Sequence, residues 1–314
     1  MRVTNISDAE LRPRRVAVGE FDGVHRGHRA VIDGNDTVLT FEPHPATVVR
    51  PLPAPKLLTT LEVKTELIAT LGVRELVVIP FDLRFAEQSP QHFIDTILVE
   101  RLGATHVSVG ENFRFGRRAS GDTALLASDP RFETRIVPLV GAGGTEISSS
   151  RIRELIATGE VAAAADLLGA PFRIRGEVVG GDRRGRELGF PTANIVPDPS
   201  LACPAHGVYA CRVGPYAAAV NVGVRPTFGD GLRPLIEPYL LDFDGDLYGE
   251  RLTVEFIARI RGEERFDTID ALIAQIEEDV RRTRELCPVT GSGTVARPDV
   301  TRRGERDGGH ETTC

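Results

Sequence analysis

The chain has 314 residues, 41% of them apolar and 26% charged. This is the balance of an ordinary soluble globular protein, and the length suits two domains that each bury a core. A formal net charge of −7 argues against a general nucleic-acid binder, whose surface is usually basic. No apolar run is long enough to span a bilayer, and Met1-Arg2-Val3-Thr4-Asn5 leads into no apolar signal core, so a cytoplasmic protein with no nucleic-acid or membrane partner is expected.

Up to about residue 150, short apolar strands alternate with helical patterns. Strands are predicted at residues 15–19, 36–42, 75–81, 106–110 and 134–140. Helices are predicted at 61–72 and 89–103, where Leu67, Ile68 and Leu71, then Phe93, Ile94, Ile97 and Leu98, fall at helical spacing. Such alternation predicts an α/β domain: a parallel sheet covered on both faces, with ligands beyond the carboxyl ends of its strands. Residues 148–169 read as small-residue-rich helix, taken as a connector.

After Pro171 the pattern changes. Strands are predicted at 172–179, 207–213, 216–223, 235–243 and 251–260; in the last, Leu252, Val254, Phe256, Ala258 and Ile260 alternate with Thr253, Glu255, Ile257 and Arg259. Closely spaced strands with glycine turns predict a small antiparallel β-barrel. One helix closes it, with Asp267 as its cap and Ile269, Leu272, Ile273, Ile276 and Val280 as its apolar stripe. From Pro288 onward no periodicity remains, and 288–314 is expected to be a disordered tail.

Cys203, Cys211, Cys287 and Cys314 form no C-x-x-C and no zinc spacing, so they read as reduced structural thiols. Of 38 Lys and Arg residues only Lys56 and Lys64 are lysine, and no G-x-x-x-x-G-K-[ST] loop occurs, which excludes a P-loop kinase. Any phosphate must be held by Arg, His, backbone N–H groups or a metal.

The most informative stretch is Gly19-Glu20-Phe21-Asp22-Gly23-Val24-His25-Arg26-Gly27-His28, directly after the apolar run Val16-Ala17-Val18. A buried strand ends in a glycine-rich turn, and two histidines three residues apart share a face where a helix can begin. A helix start favours anions, and imidazoles there can donate to phosphate oxygens. Further along stand Thr40-Phe41-Glu42-Pro43-His44-Pro45; Gly110-Glu111-Asn112-Phe113-Arg114-Phe115-Gly116 with Gly121-Asp122; and Ile147-Ser148-Ser149-Ser150-Arg151-Ile152-Arg153. Alone, these read as a proline turn, an arginine-bearing loop and a serine-capped helix start.

In this order the segments resemble the H-x-G-H nucleotidyltransferases, and more narrowly the bacterial bifunctional riboflavin kinase/FAD synthetases. The resemblance implies a Rossmann-like FMN adenylyltransferase domain at 1–150. There a phosphate oxygen of FMN attacks the α-phosphorus of ATP, pyrophosphate leaves, and positioned donors with Mg²⁺ stabilise the charge. It places His25 and His28 as the catalytic pair. Gly19, Phe21, Asp22, Gly23, Gly27, Asn112, Ser148, Ser149, Arg151 and Arg153 line ATP and its phosphates, and Phe115 and Asp122 line the flavin. Two features depart from the family. Eleven residues separate His28 from Thr40, leaving room for barely one helical turn where the family has a full helix. Glu20 stands where the family often has Asn or a small polar residue.

The second half carries the most specific match. Gly180-Gly181-Asp182-Arg183-Arg184-Gly185-Arg186-Glu187-Leu188-Gly189-Phe190-Pro191-Thr192-Ala193-Asn194-Ile195 resembles the riboflavin kinase G-x-x-x-G-R-x-L-G-[FY]-P-T-A-N. Asn221-Val222-Gly223-Val224-Arg225-Pro226-Thr227-Phe228 adds a further family block. The resemblance implies a riboflavin kinase domain at 171–287, joined through a helical connector at 151–170. Gly180, Gly185, Arg186, Gly189 and Pro191 would hold ATP, and Thr192 and Asn194 would offer neutral oxygens to Mg²⁺. Arg225 and Thr227 would line the flavin. Glu237 matches the Glu of the family's E-x-H and would accept the riboflavin 5′-hydroxyl proton; Tyr239 replaces the family's His. The substrates implied are riboflavin, FMN and ATP, acting on a monomer or weak homo-oligomer. Rival readings are a riboflavin kinase with a degenerate first domain, favoured by the short His28–Thr40 interval; a non-catalytic flavin carrier or sensor, which would need no base; and another nucleotidyltransferase, which would not need the second domain.

Overall fold

The computed structural model describes residues 1–49, 54–142, 145–180, 190–226 and 232–288. The chain forms two compact units. One is Met1–Pro171 with Ser200–Ala202; the other is Phe172–Pro199 with the chain from Cys203 onward.

The first unit is built on a six-stranded parallel sheet. Its strands are β1 (Arg2–Asn5), β2 (Arg14–Val18), β3 (Thr37–Glu42), β4 (Glu75–Pro80), β5 (Ala104–Gly110) and β6 (Glu133–Val137), in the order β1-β4-β3-β2-β5-β6. The inner strands β2, β3 and β4 are buried on both faces, as their continuous apolar runs required. Val16, Val18, Leu39, Phe41, Val77 and Ile79 pack on one face under the helical stretch Phe93–Arg101. Ala17, Val38 and Leu76 pack on the other, under the helices Arg26–Ile32 and Leu61–Ala69. From β2 the chain runs outward to β3 and β4, then returns to β5 on the far side of β2. The strand order therefore reverses between β2 and β5, where α/β sheets open a ligand crevice.

Several expectations need correction. β1 was not predicted: Arg2–Asn5 is polar and largely exposed, and is a strand only because it pairs with Glu75–Val78. The interval after His28 is less cramped than its length suggested. The helix begins at Arg26, before His28, and runs to Ile32, about two turns. The crossover that matters is the whole segment from Val18 to Thr37. The helices Ser149–Thr158 and Val161–Leu168 belong to the first unit, where Ile152, Ile156, Val161, Ala164 and Leu168 are buried. A short ribbon of β7 (Gly141–Ala142) and β8 (Thr145–Glu146) precedes them.

The second unit is a closed six-stranded antiparallel barrel, ordered β10-β13-β12-β11-β14-β9. It comprises β9 (Phe172–Val179), β10 (Asn194–Ile195), β11 (Gly207–Val213), β12 (Tyr216–Pro226), β13 (Leu232–Leu240) and β14 (Arg251–Arg261). Val178, Ile195, Val220, Val222, Ile236 and Val254 fill its interior. Two-residue β10, too short to read from periodicity, is the strand that closes it. The alternation in β14 holds through Phe256 and then slips, because β11 and β14 shift register between Ala210 and Cys211. Ile257, expected in the polar row, thus packs outside the barrel with Leu241, Val280 and Cys287.

The closing helix runs Ile269–Leu286. Its cap is Thr268, not Asp267: the Thr268 hydroxyl accepts the Ala271 N–H at 3.2 Å. Ile269, expected in the apolar stripe, is exposed, and the deepest side chains are Asp279 and Thr283. Asp279 is held by Arg261, with the closest contact at 2.8 Å. Cys203, Cys211 and Cys287 are free thiols, the last two buried. The expected tail beyond Pro288 lies outside the described residues.

Candidate active sites

The loop after β2 bends sharply. Phe21, Gly23 and Val24 all have positive φ, at 51°, 83° and 43°. Glycine tolerates this freely; Phe and the β-branched Val do not, and such strain costs roughly 1–3 kcal/mol per residue and clusters at functional sites. Asp22 anchors the loop from below. It is buried and accepts the N–H groups of Leu58 and Thr59. Arg153 donates to it at 2.6 Å and also to the Lys56 carbonyl. Asp22 and Arg153, both expected at the phosphates, are thus committed to each other. Ser149 donates its hydroxyl to the Asp22 carbonyl at 3.0 Å, and Ser148 caps its helix by accepting the Arg151 N–H. Arg151 is exposed and paired with Glu154.

These contacts set the two histidines side by side. His25 is the cap of the helix Arg26–Ile32, and its Nδ1 accepts the His28 N–H at 3.2 Å. The rings stack with centroids 3.5 Å apart, and Phe21 meets His28 edge-on. A Cβ at Gly27 would lie 3.1 Å from the His25 ring and press on it. A Cβ at Gly19 would likewise crowd the Phe21 ring, at 3.0 Å. Since His25 Nδ1 accepts, its neutral tautomer carries the proton on Nε2. Burial pushes the His25 pKa down to about 4, with Asp22 opposing. His28 is pushed well below the usual imidazole range, by burial first and then by the charges of His25, Lys64 and Arg153. At neutral pH the pair offers uncharged N–H donors.

That depression has a consequence for folding. The unfolded imidazole binds a proton below about pH 6.5, while folded His25 resists one until about 4. Stability therefore falls as pH drops from 6.5 to 4, by on the order of 3 kcal/mol for His25 alone. Thermal melts should show the midpoint rising between pH 4 and 6.5, with a flatter rise in His25→Gln. An equal slope in the variant would assign the effect elsewhere.

Other expected residues of this site fall around the same sheet edge. After β3, His44 is buried and its Nε2 lies 2.7 Å from Glu20 Oε2, while Thr40 donates to the Glu20 carbonyl. Glu20, the residue that departs from the family, is thus engaged sideways with His44. After β5, Asn112 is exposed in a turn. Asp122 caps the helix Thr123–Ala127 and pairs with Arg114 at 3.3 Å. Phe115 is a core residue that stacks against half-buried Phe113.

In the second unit Asn194, Glu237 and Asn221 share the outer face of the barrel. Ile195 pairs with Ile236, and the Ala193 N–H reaches the Pro238 carbonyl at 3.0 Å, so Asn194 stands opposite Glu237. On the other side Glu237 pairs with Asn221, whose amide donates to Glu237 Oε2 at 2.9 Å. Three polar side chains on three adjacent strands thus form one row, since ladder partners project to the same face. Among the described residues Glu237 Oε1 carries no hydrogen bond. Thr192 is exposed two residues before Asn194. Phe190 meets Tyr239 edge-on at 5.4 Å, which pins the start of the Pro191-Thr192-Ala193-Asn194 segment beside the row. Gly180 has open space where a Cβ would be. Gly185, Arg186, Gly189 and Thr227 lie outside the described residues, as does the Arg225 side chain. Among the described residues no group of three or more His, Cys, Asp or Glu could hold a metal.

The two units match two different families of domain. A family model described as FAD synthetase matches residues 7–151, and one described as riboflavin kinase matches residues 168–287. A bifunctional riboflavin kinase/FMN adenylyltransferase of Escherichia coli (strain K12) is 39% identical over 306 residues, covering 92% of this chain and 97% of that one. The chain belongs to the bifunctional riboflavin kinase/FMN adenylyltransferase family. The family member from Listeria monocytogenes is 40% identical over 286 residues, covering 86% of this chain and 91% of its own. A crystal structure described as a macrolide-efflux protein from Streptococcus pneumoniae superposes with a TM-score of 0.84 at 31% identity, over 91% of this chain and 100% of that one. Among the described residues of this chain no helix is long and apolar enough to cross a membrane.

Sequence reading of this family member missed three residues at the sites. Asn221 was quoted only as part of a block, yet it orients Glu237. His44 was quoted only in its turn, yet it holds Glu20. Lys64 was noted only for its rarity, and it is buried on a helix that packs in the same apolar cluster as Phe21 and Val24 of the histidine loop. A lysine on the apolar stripe of a helix, between Val63 and Leu67, is the signal that could have found it.

Proposed function

We propose that the barrel phosphorylates riboflavin and that the carboxyl edge of the parallel sheet adenylylates the resulting FMN. The observation that carries this reading is the row Asn194–Glu237–Asn221. It holds a carboxylate with one oxygen fixed by an amide and the other without a hydrogen bond among the described residues, beside neutral oxygen donors. A flavin carrier would need no such base.

In the kinase step the riboflavin 5′-oxygen bonds to the γ-phosphorus while the bond to the β-phosphate oxygen breaks and ADP leaves. Glu237 Oε1 takes the hydroxyl proton, and Asn221 holds the carboxylate in place. Thr192 and Asn194 fit Mg²⁺ in chemistry: they are neutral oxygens, suited to an ion whose remaining ligands come from ATP phosphates and water. When bound, Mg²⁺ would neutralise charge developing on the phosphates.

In the adenylyl step an FMN phosphate oxygen bonds to the α-phosphorus and pyrophosphate departs. No protein nucleophile is required. Neutral His25 and His28 donate N–H to phosphate oxygens as charge redistributes, and the Asp22–Arg153 pair with Ser149 fixes the strained loop that holds them. A two-turn helix after β2 supports an intact first site over a degenerate one. We place both reactions in the cytoplasm, on a monomer or weak homo-oligomer.

Incubating the purified chain with riboflavin, ATP and Mg²⁺, and separating flavins over time, should show FMN first and FAD after it. FMN without FAD would leave only the kinase, and neither product would remove both activities.

A further inference from the structure

Lys64 lies on the inward face of the helix Leu61–Ala69, with Val63, Leu67 and Ile68 around it, and is 3% exposed. Its ammonium makes no hydrogen bond or ion pair among the described residues. Its helix packs in the apolar cluster that also holds Phe21 and Val24 of the histidine loop, and Leu58 and Thr59, just before that helix, donate to Asp22, so Lys64 lies at the same sheet edge as the histidines. Its charge acts on His28, and those of Asp22, Glu42 and Glu20 act on it. None of the three pairs with it among the described residues: Asp22 is held by Arg153 and two backbone amides and Glu20 by His44, and Glu42 makes no ion pair with it. In the histidine pair, His28 Nδ1 is buried without a partner among the described residues.

Burial of the Lys64 side chain disfavours its charged form and pushes its pKa down against the pull of the nearby carboxylates. The chain nevertheless keeps a lysine here, one of only two among 38 Lys and Arg residues. Arginine's planar fork would find partners among Glu20, Asp22 and Glu42; a compact point charge stays free for one oxygen. Polyphosphate supplies that oxygen, and its charge rises as the α-phosphorus bond breaks.

We infer that Lys64 holds the pyrophosphate portion of the nucleotide in the first site. The inference rests on the adenylyltransferase reading above. Its test is calorimetric titration of Mg²⁺–pyrophosphate into the full chain, wild type and Lys64→Met, with thermal melts of both and, for FAD formation, KM for ATP and for FMN. Lys64→Met should weaken pyrophosphate binding by about 10–100-fold, the effect of losing one charge-assisted hydrogen bond. KM for ATP should rise while KM for FMN holds. Tm should hold or rise, because a charge on a largely buried side chain with no protein partner among the described residues has been replaced by an apolar group. Unchanged pyrophosphate affinity, no pyrophosphate binding by wild type, or a fall in Tm that accompanies the lost affinity would each overturn it, the last by marking a structural lysine. A wild type that binds pyrophosphate through Lys64 yet forms no FAD would refute the adenylyltransferase reading and leave this one standing.

Discussion

Glu237→Gln is expected to lower riboflavin phosphorylation by roughly 10²–10⁴, the range for loss of a general base. The substitution keeps the side chain's shape and its place in the row with Asn194 and Asn221, so the fold and ATP binding should survive. The glutamine amide would face the Asn221 amide that now donates to Glu237 at 2.9 Å; it can turn its own oxygen toward that donor, which leaves an N–H₂ group where the basic oxygen was. The effect should therefore fall on kcat rather than on KM for riboflavin. Initial rates of ADP and FMN formation check this, with FAD formation from supplied FMN as the internal control. A variant that phosphorylates at the wild-type rate would remove Glu237 from the chemistry.

His28→Ala is expected to lower FAD formation from FMN by about 10²–10³, the cost of one positioned donor in a charge-stabilising site. FMN should still accumulate from riboflavin, because the kinase residues lie in the other compact unit. The substitution also removes a ring that stacks on His25 and meets Phe21, so a stability change accompanies it. His28→Gln keeps an N–H donor and separates the two effects. It should retain more adenylyltransferase activity than the alanine variant at similar melting temperature. Equal loss in both would assign His28 a packing role.

Much of this architecture is readable in one sequence because both units use strong local patterns. β2, β3 and β4 are buried on both faces, so their apolar runs stand out. The barrel strands alternate, and the register of β10 against β13 puts Asn194 opposite Glu237, two residues quoted from separate motifs. What stayed hidden depends on partners far away in the chain. Arg2–Asn5 has no strand pattern of its own and is ordered by β4. Asp267 and Thr268 are both good caps, and only the folded geometry selects Thr268. Arg153 reads as a phosphate ligand, and only the fold shows that it also donates to Asp22, 131 residues earlier. The His28–Thr40 interval looked too short because counting began at the motif's last histidine, whereas the helix starts two residues before it.

The most direct test of two separate sites on one chain is complementation between the two variants. With riboflavin, ATP and Mg²⁺, His28→Ala alone should stop at FMN, and Glu237→Gln alone should make almost no flavin product. Mixed, the first should release FMN that the second converts, so FAD appears from riboflavin only in the mixture. No FAD in the mixture, from two proteins that each melt as the wild type does, would contradict the assignment of the two reactions to independent sites.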